Sequence, residues 1–325
     1  MDLFISAETK DFNKIRMKSI KYLIACSLGI LSLIGDSKAQ QDPVFTQYFF
    51  NPLIINSGYA GTRNALDVTL LVREQWVGIK GRPQTQTLTI HSPLMKNTLA
   101  VGGSIVRDQV GITNSTSIFG DFAYRLKVSR KSKLALGLKA GLNLLSADLT
   151  ELANINPEDV TFAADIKNRP LPNFGASAYL WAKNYFVGLS VPKIIENELN
   201  NQIQDMGGRE NIHLYLTGGY VFDLNRLVKF KPTFMARYLK EAPLSVDITA
   251  NFLFDEKLWV GGAYRLGDSA GFLASYQISD QMRLGYSFDY TLSDIQSVTT
   301  LNSHEFMLNY EFFYKDKNFV SPRYF

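Results

Sequence analysis

Hydrophobic and polar residues alternate with period two along most of the chain beyond residue 65. That spacing sends successive side chains to opposite faces of a strand. In Lys133–Asn143, Leu134, Leu136, Leu138, Ala140 and Leu142 share one face, and Lys133, Lys139 and Asn143 share the other. In Arg283–Leu292, Leu284, Tyr286, Phe288, Tyr290 and Leu292 oppose Arg283, Ser287, Asp289 and Thr291. Leu244–Phe254 and Glu305–Tyr314 repeat the pattern. Fourteen such segments begin near Leu66, Gln84, Leu99, Thr116, Lys133, Asn173, Tyr185, Ile212, Val228, Leu244, Lys257, Ala270, Met282 and Ser303. Many run nine to twelve residues. Soluble strands average about 5–6 residues, whereas a tilted membrane strand needs about 9–11. The apolar faces also end in Tyr, Phe or Trp, as interfacial girdles require.

The connections sort by parity. With the N-terminus in the periplasm, the even connections are short: Ser129–Ser132, Lys183-Asn184, Asp223–Leu227, Asp255-Glu256, Ser279–Gln281 and, slightly longer, Pro93–Thr98. The long ones, Ser146–Pro172 and Pro192–Asn211, fall on the odd side, as does Ser293–Asn302. Short periplasmic turns and long outer loops mark a bacterial outer-membrane barrel. The expected fold is all-β, a transmembrane antiparallel β-barrel of about 14 strands over residues 66–314, with a tail at 315–325.

Residues 40–65 do not alternate cleanly and are rich in aromatics and amides: Phe45, Tyr48, Phe49, Phe50, Asn51, Asn56 and Tyr59. They read as a periplasmic leader or as a segment packed in the barrel lumen. So many aromatics are poorly solvated in the open, which favours the lumen. Residues 1–39 read as an export signal. Lys18 and Lys21 precede an apolar stretch, Tyr22–Ile34, and Ser37-Lys38-Ala39 supplies a cleavage site before Gln40. The polar stretch 1–16 does not suit an n-region, so Met17 is the expected true start. The single cysteine, Cys26, lies within this signal. Its surroundings resemble a lipoprotein box, but the apolar run continues past it, which argues against lipidation.

Charge adds little. The chain has 34 basic and 30 acidic residues, and no basic block interleaves with aromatics, so nucleic acid is not an expected partner. If the apolar faces meet lipid, the opposite faces put Asp121, Arg125, Lys139, Asp247, Arg265, Arg283, Asp289 and Glu305 in the lumen. Both signs occur, so a salt-bridged polar network is expected rather than a selectivity pore. The three histidines are His91, His213 and His304. His91-Ser92 lacks a nucleophile elbow, and His304 and Glu305, adjacent on a strand, face opposite sides. Val101-Gly102-Gly103-Ser104 and Val260-Gly261-Gly262-Ala263 sit inside strands, where glycines mark bends. No catalytic, cofactor-binding or metal-binding residues are expected, and the protein is not expected to be an enzyme.

Particular residues carry a family resemblance. Asp42, Pro43, Gln47 and Tyr48, then Asn51-Pro52 and Asn56-Ser57-Gly58-Tyr59-Ala60-Gly61, resemble the mature start of the PorP/SprF family. These are outer-membrane proteins of the type IX secretion and gliding system of Bacteroidetes. Arg73, Gln75, Trp76 and Gly78 continue the resemblance, followed by Asp108-Gln109-Val110-Gly111, Pro172-Asn173-Phe174-Gly175, Lys231-Pro232 and Ser303-His304-Glu305. Ser57 and Gly58 stand where the family usually has proline and alanine. The resemblance implies a non-enzymatic protein that secretes or anchors a surface adhesin. Its implied partners are other type IX components, cargo bearing a type-B C-terminal domain, and outer-membrane lipid. The barrel pattern alone also allows a channel or transporter for small solutes or hydrophobic molecules. A lipid-modifying enzyme ranks third.

Overall fold

The computed structural model describes residues 43–94, 98–150, 165–198, 209–240, 242–293, 302–312 and 324. Among them the regular structure is strand, apart from two short 3-10 turns at Pro52–Ile54 and Ser57–Tyr59. No described helix is long and apolar enough to cross a membrane. The strands are β1 (Leu66–Glu74), β2 (Gln84–Leu94), β3 (Leu99–Val110), β4 (Thr113–Lys127), β5 (Lys133–Ala147), β6 (Ile166–Trp181), β7 (Tyr185–Val191) and β8 (His213–Tyr220). They continue with β9 (Phe222–Asp223), β10 (Val228–Leu239), β11 (Ser245–Phe254), β12 (Leu258–Arg265), β13 (Ser269–Gln277), β14 (Met282–Thr291) and β15 (Asn302–Phe312). Each pairs antiparallel with its sequence neighbours, except that β8 and β9 both pair with β10 and not with each other, and β15 pairs with β1, Leu66 opposite Phe312. The sheet therefore closes on itself and has no free edge.

Fifteen segments make fourteen staves, because β8 and β9 both lie along β10 and form one interrupted strand. The interruption falls at Val221, beside the level of Pro232, which has no N–H to give the ladder. The ladder starts match the sequence pattern to within a few residues except at β6. The loop expected at Ser146–Pro172 is shorter than the alternation suggests. The β5–β6 pairing extends through Leu142↔Pro172 and Leu144↔Pro170 to Ala147↔Ile166, with a bulge after Leu145. Pro170 and Pro172 lie within this stretch. They are tolerated because β7 begins pairing only at Ala176, so this stretch of β6 has an open side. The Pro172 carbonyl faces that side, where Asn197 Nδ2 donates to it at 3.1 Å.

Burial follows the alternation. Leu136, Leu138, Phe122 and Phe306 point outward and exposed, whereas Lys139, Asp121 and Glu305 point inward and are buried. An apolar exterior on a closed sheet is what lipid contact requires. Leu138, 62% exposed, faces outward on β5 beside inward Lys139. Leu138→Arg is expected to lose about 2–4 kcal/mol if that site lies near the bilayer midplane. Lys139→Met should still insert. Folding yield into lipid vesicles, read by heat-modifiable gel mobility, checks the pair, and equal behaviour would reverse the inside–outside assignment.

Candidate functional site

The lumen is filled by the chain's own residues 43–65. Thr46 and Gln47 direct consecutive backbone N–H groups to the two oxygens of Glu305, at 3.0 and 2.9 Å. The Thr46 hydroxyl donates to Asp289. Arg73 completes this cluster, its guanidinium 2.8 Å from Asp289 and 3.1 Å from Glu305. All four side chains are buried. The two carboxylates repel each other, and Arg73 together with the N–H donors of residues 46–47 offsets their burial.

Further along, the Thr89 hydroxyl donates to Asn51 at 3.0 Å. Asn56 Nδ2 donates to the Ala178 carbonyl, and its Oδ1 accepts from the Gly58 N–H. Ser57 contacts Ser177 at 2.7 Å, and the Gly58 N–H also donates to Ser177. The residue that departs from the usual family proline thus gains a partner in the wall. The Gly61 N–H donates to His91 Nδ1, which leaves the ring proton on Nε2, 3.7 Å from Asp67. Arg63 lies 3.7 Å from Glu311. Arg125 donates to the Ala60 carbonyl at 3.0 Å.

Apolar contacts seat the same segment in two clusters. Leu53, Tyr59 and Ala60 pack on Ala100, Ala123, Ala135, Tyr179 and Phe186. Tyr48, Phe49 and Phe50 pack on Tyr215, Met235, Leu253, Trp259, Leu273 and Met307. Three wall residues of the first seat, Ala100, Ala123 and Ala135, are small and let the segment come close to the strands. A Cβ on Gly137 would stand 2.2 Å from the Gly58 nitrogen. Gly61, at φ +66, would press a Cβ to within 2.0 Å of Arg125. Gly137→Val is expected to unseat residues 57–61 and cost about 1–3 kcal/mol through overpacking. Protease sensitivity of residues 43–65 in the folded barrel reads this out, and unchanged protection would show that the wall yields.

Lys231 sits inside an aromatic cage of Phe49, Phe50, Phe186 and Trp259, its ammonium 4.9 to 5.9 Å from the ring centres. The Tyr324 carbonyl accepts from it, and the Tyr324 hydroxyl donates to Glu256 at 3.1 Å. Tyr324 therefore covers the short-turn end of the lumen beside the Asp255-Glu256 turn.

The expected lumen residues all face inward but form separate groups. Asp121 and Lys139 pair at 2.8 Å. Asp247 and Arg265 pair at 2.6 Å, with Asp268 at 3.1 Å. Asp289 and Glu305 share Arg73. Arg283 lies over the Phe50 ring at 4.8 Å and donates to Asn309. Arg125 serves the seated segment. Of the family-motif residues, Asp42 lies outside the described residues. Pro43, Gln47, Tyr48, Asn51, Asn56, Tyr59 and Gly61 belong to the seated segment. Tyr48 meets Thr233 at 3.0 Å, Gln47 Nε2 donates to the Glu305 carbonyl, and Tyr59 stands edge-on to His91 and Tyr179. Arg73 is the counter-charge of Asp289 and Glu305, the carboxylates that this segment binds. Gln75, Trp76 and Gly78 shape the first outer loop. There the Gln75 N–H donates to Pro83, while Trp76 and Gly78 take positive φ.

Above the seated segment, toward the long loops, a cavity of about 340 Å³ opens. Pro43, Asp108, Asn143, Lys193, Arg209 and Glu210 contribute to its lining. Glu210 ties the β7–β8 loop to the wall by accepting from Asn143, Asn173 and Asn197. At the foot of the β5–β6 loop, the Thr150 N–H and hydroxyl both donate to Asp165 and hold that carboxyl below its usual range. No group of described residues could hold a metal ion.

A closed antiparallel barrel with an apolar exterior and an internally seated N-terminal segment is an outer-membrane protein by architecture. Residues 37–310 match the family described as Type IX secretion system membrane protein PorP/SprF, and the chain belongs to that family. Among curated proteins no relative matches. Similar solved structures include an outer membrane protein of Acinetobacter baumannii, Omp33, at 10% identity and TM-score 0.46, covering 78% of this chain and all of that one. The CymD monoaromatic hydrocarbon channel aligns at 11% identity and TM-score 0.49, over 88% of this chain and 97% of its own. The Pseudomonas putida toluene transporter TodX aligns at 10% identity and TM-score 0.45, over 85% and 94%.

Proposed function

We propose that this type IX secretion component is a non-enzymatic, plugged outer-membrane barrel that secretes or anchors a specific cell-surface adhesin. In this reading it is exported by a cleavable signal peptide, and its cargo carries a type-B C-terminal domain. The observation that carries the proposal is the filled lumen. Residues 43–65 are fixed to the wall by a buried ion pair, backbone hydrogen bonds and two apolar clusters, which suits an anchor better than a solute pore. The outer loops, held on a rigid barrel, supply the docking surface for cargo.

The test is deletion of the gene. One or a few adhesins should leave the cell surface, taking spreading or gliding with them where the host glides. Bulk permeability should stay unchanged, and native purification should recover other type IX components. A normal surface-protein profile with lost uptake of a small solute would support the transporter reading and reject this one.

A further inference from the structure

The outward face of the wall is not uniform around the barrel. On and beside β12 and β14, the outward residues at the long-loop end are Tyr264, Leu266, Tyr290 and Leu292, all exposed. On β2–β4 polar residues take that place. Gln86, Arg107 and Thr116 stand directly opposite one another across the ladders. The row above them is Gln84, Gln109, Asn114 and Ser146. Ser146 is held by Asn168, whose N–H donates to its hydroxyl at 3.0 Å. The row below is apolar, with Leu88, Ile105 and Ile118. One row further down, Gly103 faces Gly120, with Ala140 beside them and exposed Ile90 and Phe174 at the flanks. A Cβ on either glycine would meet no atom beyond its chain neighbours closer than 3.6 Å, so this stretch is an open furrow. The height of Arg107 follows from the strand. Leu99 begins β3 opposite Tyr124 at the short-turn end, and Arg107 lies eight residues on. That is about 27 Å along the strand and about 21 Å up a wall tilted by about 40°. The apolar band of such a barrel is about 25 Å tall, which puts Arg107 at its upper edge.

We propose that this outward face binds one phosphorylated glycolipid of the outer leaflet. Arg107 takes the phosphate, with the Gln86 amide and the Thr116 hydroxyl beside it. An acyl chain passes over Ile105 into the Gly103–Gly120 furrow. Charge decides the sign of the ligand. Arg107 is exposed and has no ion-pair partner among the described residues. The carboxylates beside these rows are engaged elsewhere. Asp108 faces the lumen and accepts from the Thr85 hydroxyl, and Glu74 pairs with Arg82 at 3.0 Å. The face therefore offers a cation at phosphate level, and a guanidinium donates to two phosphate oxygens at once. Together with Leu70 and Leu144, the upper rows line a groove of about 520 Å³. That lies within the range of about 300–1,000 Å³ typical of small-molecule sites. A free anion has no use for Leu88, Ile105 and the furrow, whereas a lipid has. The proposal rests on the barrel's orientation and is independent of the adhesin role.

Native mass spectrometry of the full barrel in mild detergent tests it, with phosphorylated lipid A as the probe. The parent should retain one lipid A once the detergent is stripped. Dephosphorylated lipid A should bind at least about tenfold more weakly, the loss expected when a hydrogen bond to a charged group is removed. Arg107→Gln should show the same loss with its heat-modifiable mobility unchanged, and Arg107→Lys should recover part of it. Arg226→Gln, in an exposed turn at the opposite rim, should bind as the parent does. The proposal is overturned if the parent holds the phosphorylated and dephosphorylated lipids alike, or if Arg107→Gln binds as the parent does. Displacement of the lipid by millimolar inorganic phosphate would make this a site for a free anion and overturn it too. So would a preference for phosphatidylglycerol over lipid A, which would place the face in the inner leaflet. Deletion phenotypes do not bear on these outcomes, so failure here leaves the proposed function standing.

Discussion

Arg73→Met is expected to destabilise the barrel by about 3–5 kcal/mol, the cost of removing one partner from a buried ion cluster. The site holds two carboxylates, Asp289 and Glu305, against one guanidinium. Without Arg73 they face each other across the Thr46 hydroxyl with only uncharged donors to hold them. The strand ladder does not depend on this group, so the loss should appear as a lower urea midpoint of the detergent-solubilised barrel rather than as failure to insert. The triple variant Arg73→Met, Asp289→Asn, Glu305→Gln should recover most of the loss, because it removes the repulsion together with the cation. Glutamine at 305 can still accept an N–H from residue 46 or 47. An Arg73→Met barrel as stable as the parent would mean that water reaches the cluster.

Much of this arrangement is legible in the sequence, and the remainder is hidden for physical reasons. Alternation locates the staves because lipid on one side and polar contacts on the other impose period two over long runs. It also separates Leu138 from Lys139 correctly. It fails at Pro170 and Pro172, whose missing N–H groups matter only where a neighbouring strand needs them, and there β7 has not yet begun. The inward faces are harder to read. Leu253, Trp259, Leu273 and Met307 stand on the polar side of their strands and look like lapses in the pattern. They are the seat for Tyr48, Phe49 and Phe50. An apolar residue on a lumen face is the available signal, and it pairs with the aromatic run of residues 45–50. Arg63 carries no periodic signature, and Lys231, in phase with the inward Thr233 and Met235, gives no sign of the aromatic cage that the seated segment completes around it. The lumen charges are assigned correctly to the interior. Their grouping into separate clusters depends on a segment whose course alternation cannot specify.

Removing residues 43–63 is expected to convert a closed barrel into an open one. Eight strands leave an interior that side chains just fill, whereas about 16–18 leave an aqueous channel. The fourteen staves seen here lie between those limits, and the wall facing the segment is lined in part by Ala100, Ala123, Ala135 and Gly137, which fill little space. In the intact protein Leu53, Tyr59 and Ala60, all fully or nearly fully buried, occupy that space. Deletion admits water, which hydrates Asp289, Glu305 and Arg73 and so removes the desolvation cost that the segment's N–H groups offset. The ladder from β1 to β15 is intact in the variant, so the barrel should still form and keep its heat-modifiable mobility. Proteoliposomes carrying the parent protein should not swell in isotonic sugar, whereas those carrying the deletion should swell as a porin does. Swelling by the parent would reject the plug as a seal. A correctly assembled deletion barrel that passes no sugar would mean that the wall side chains alone close the lumen.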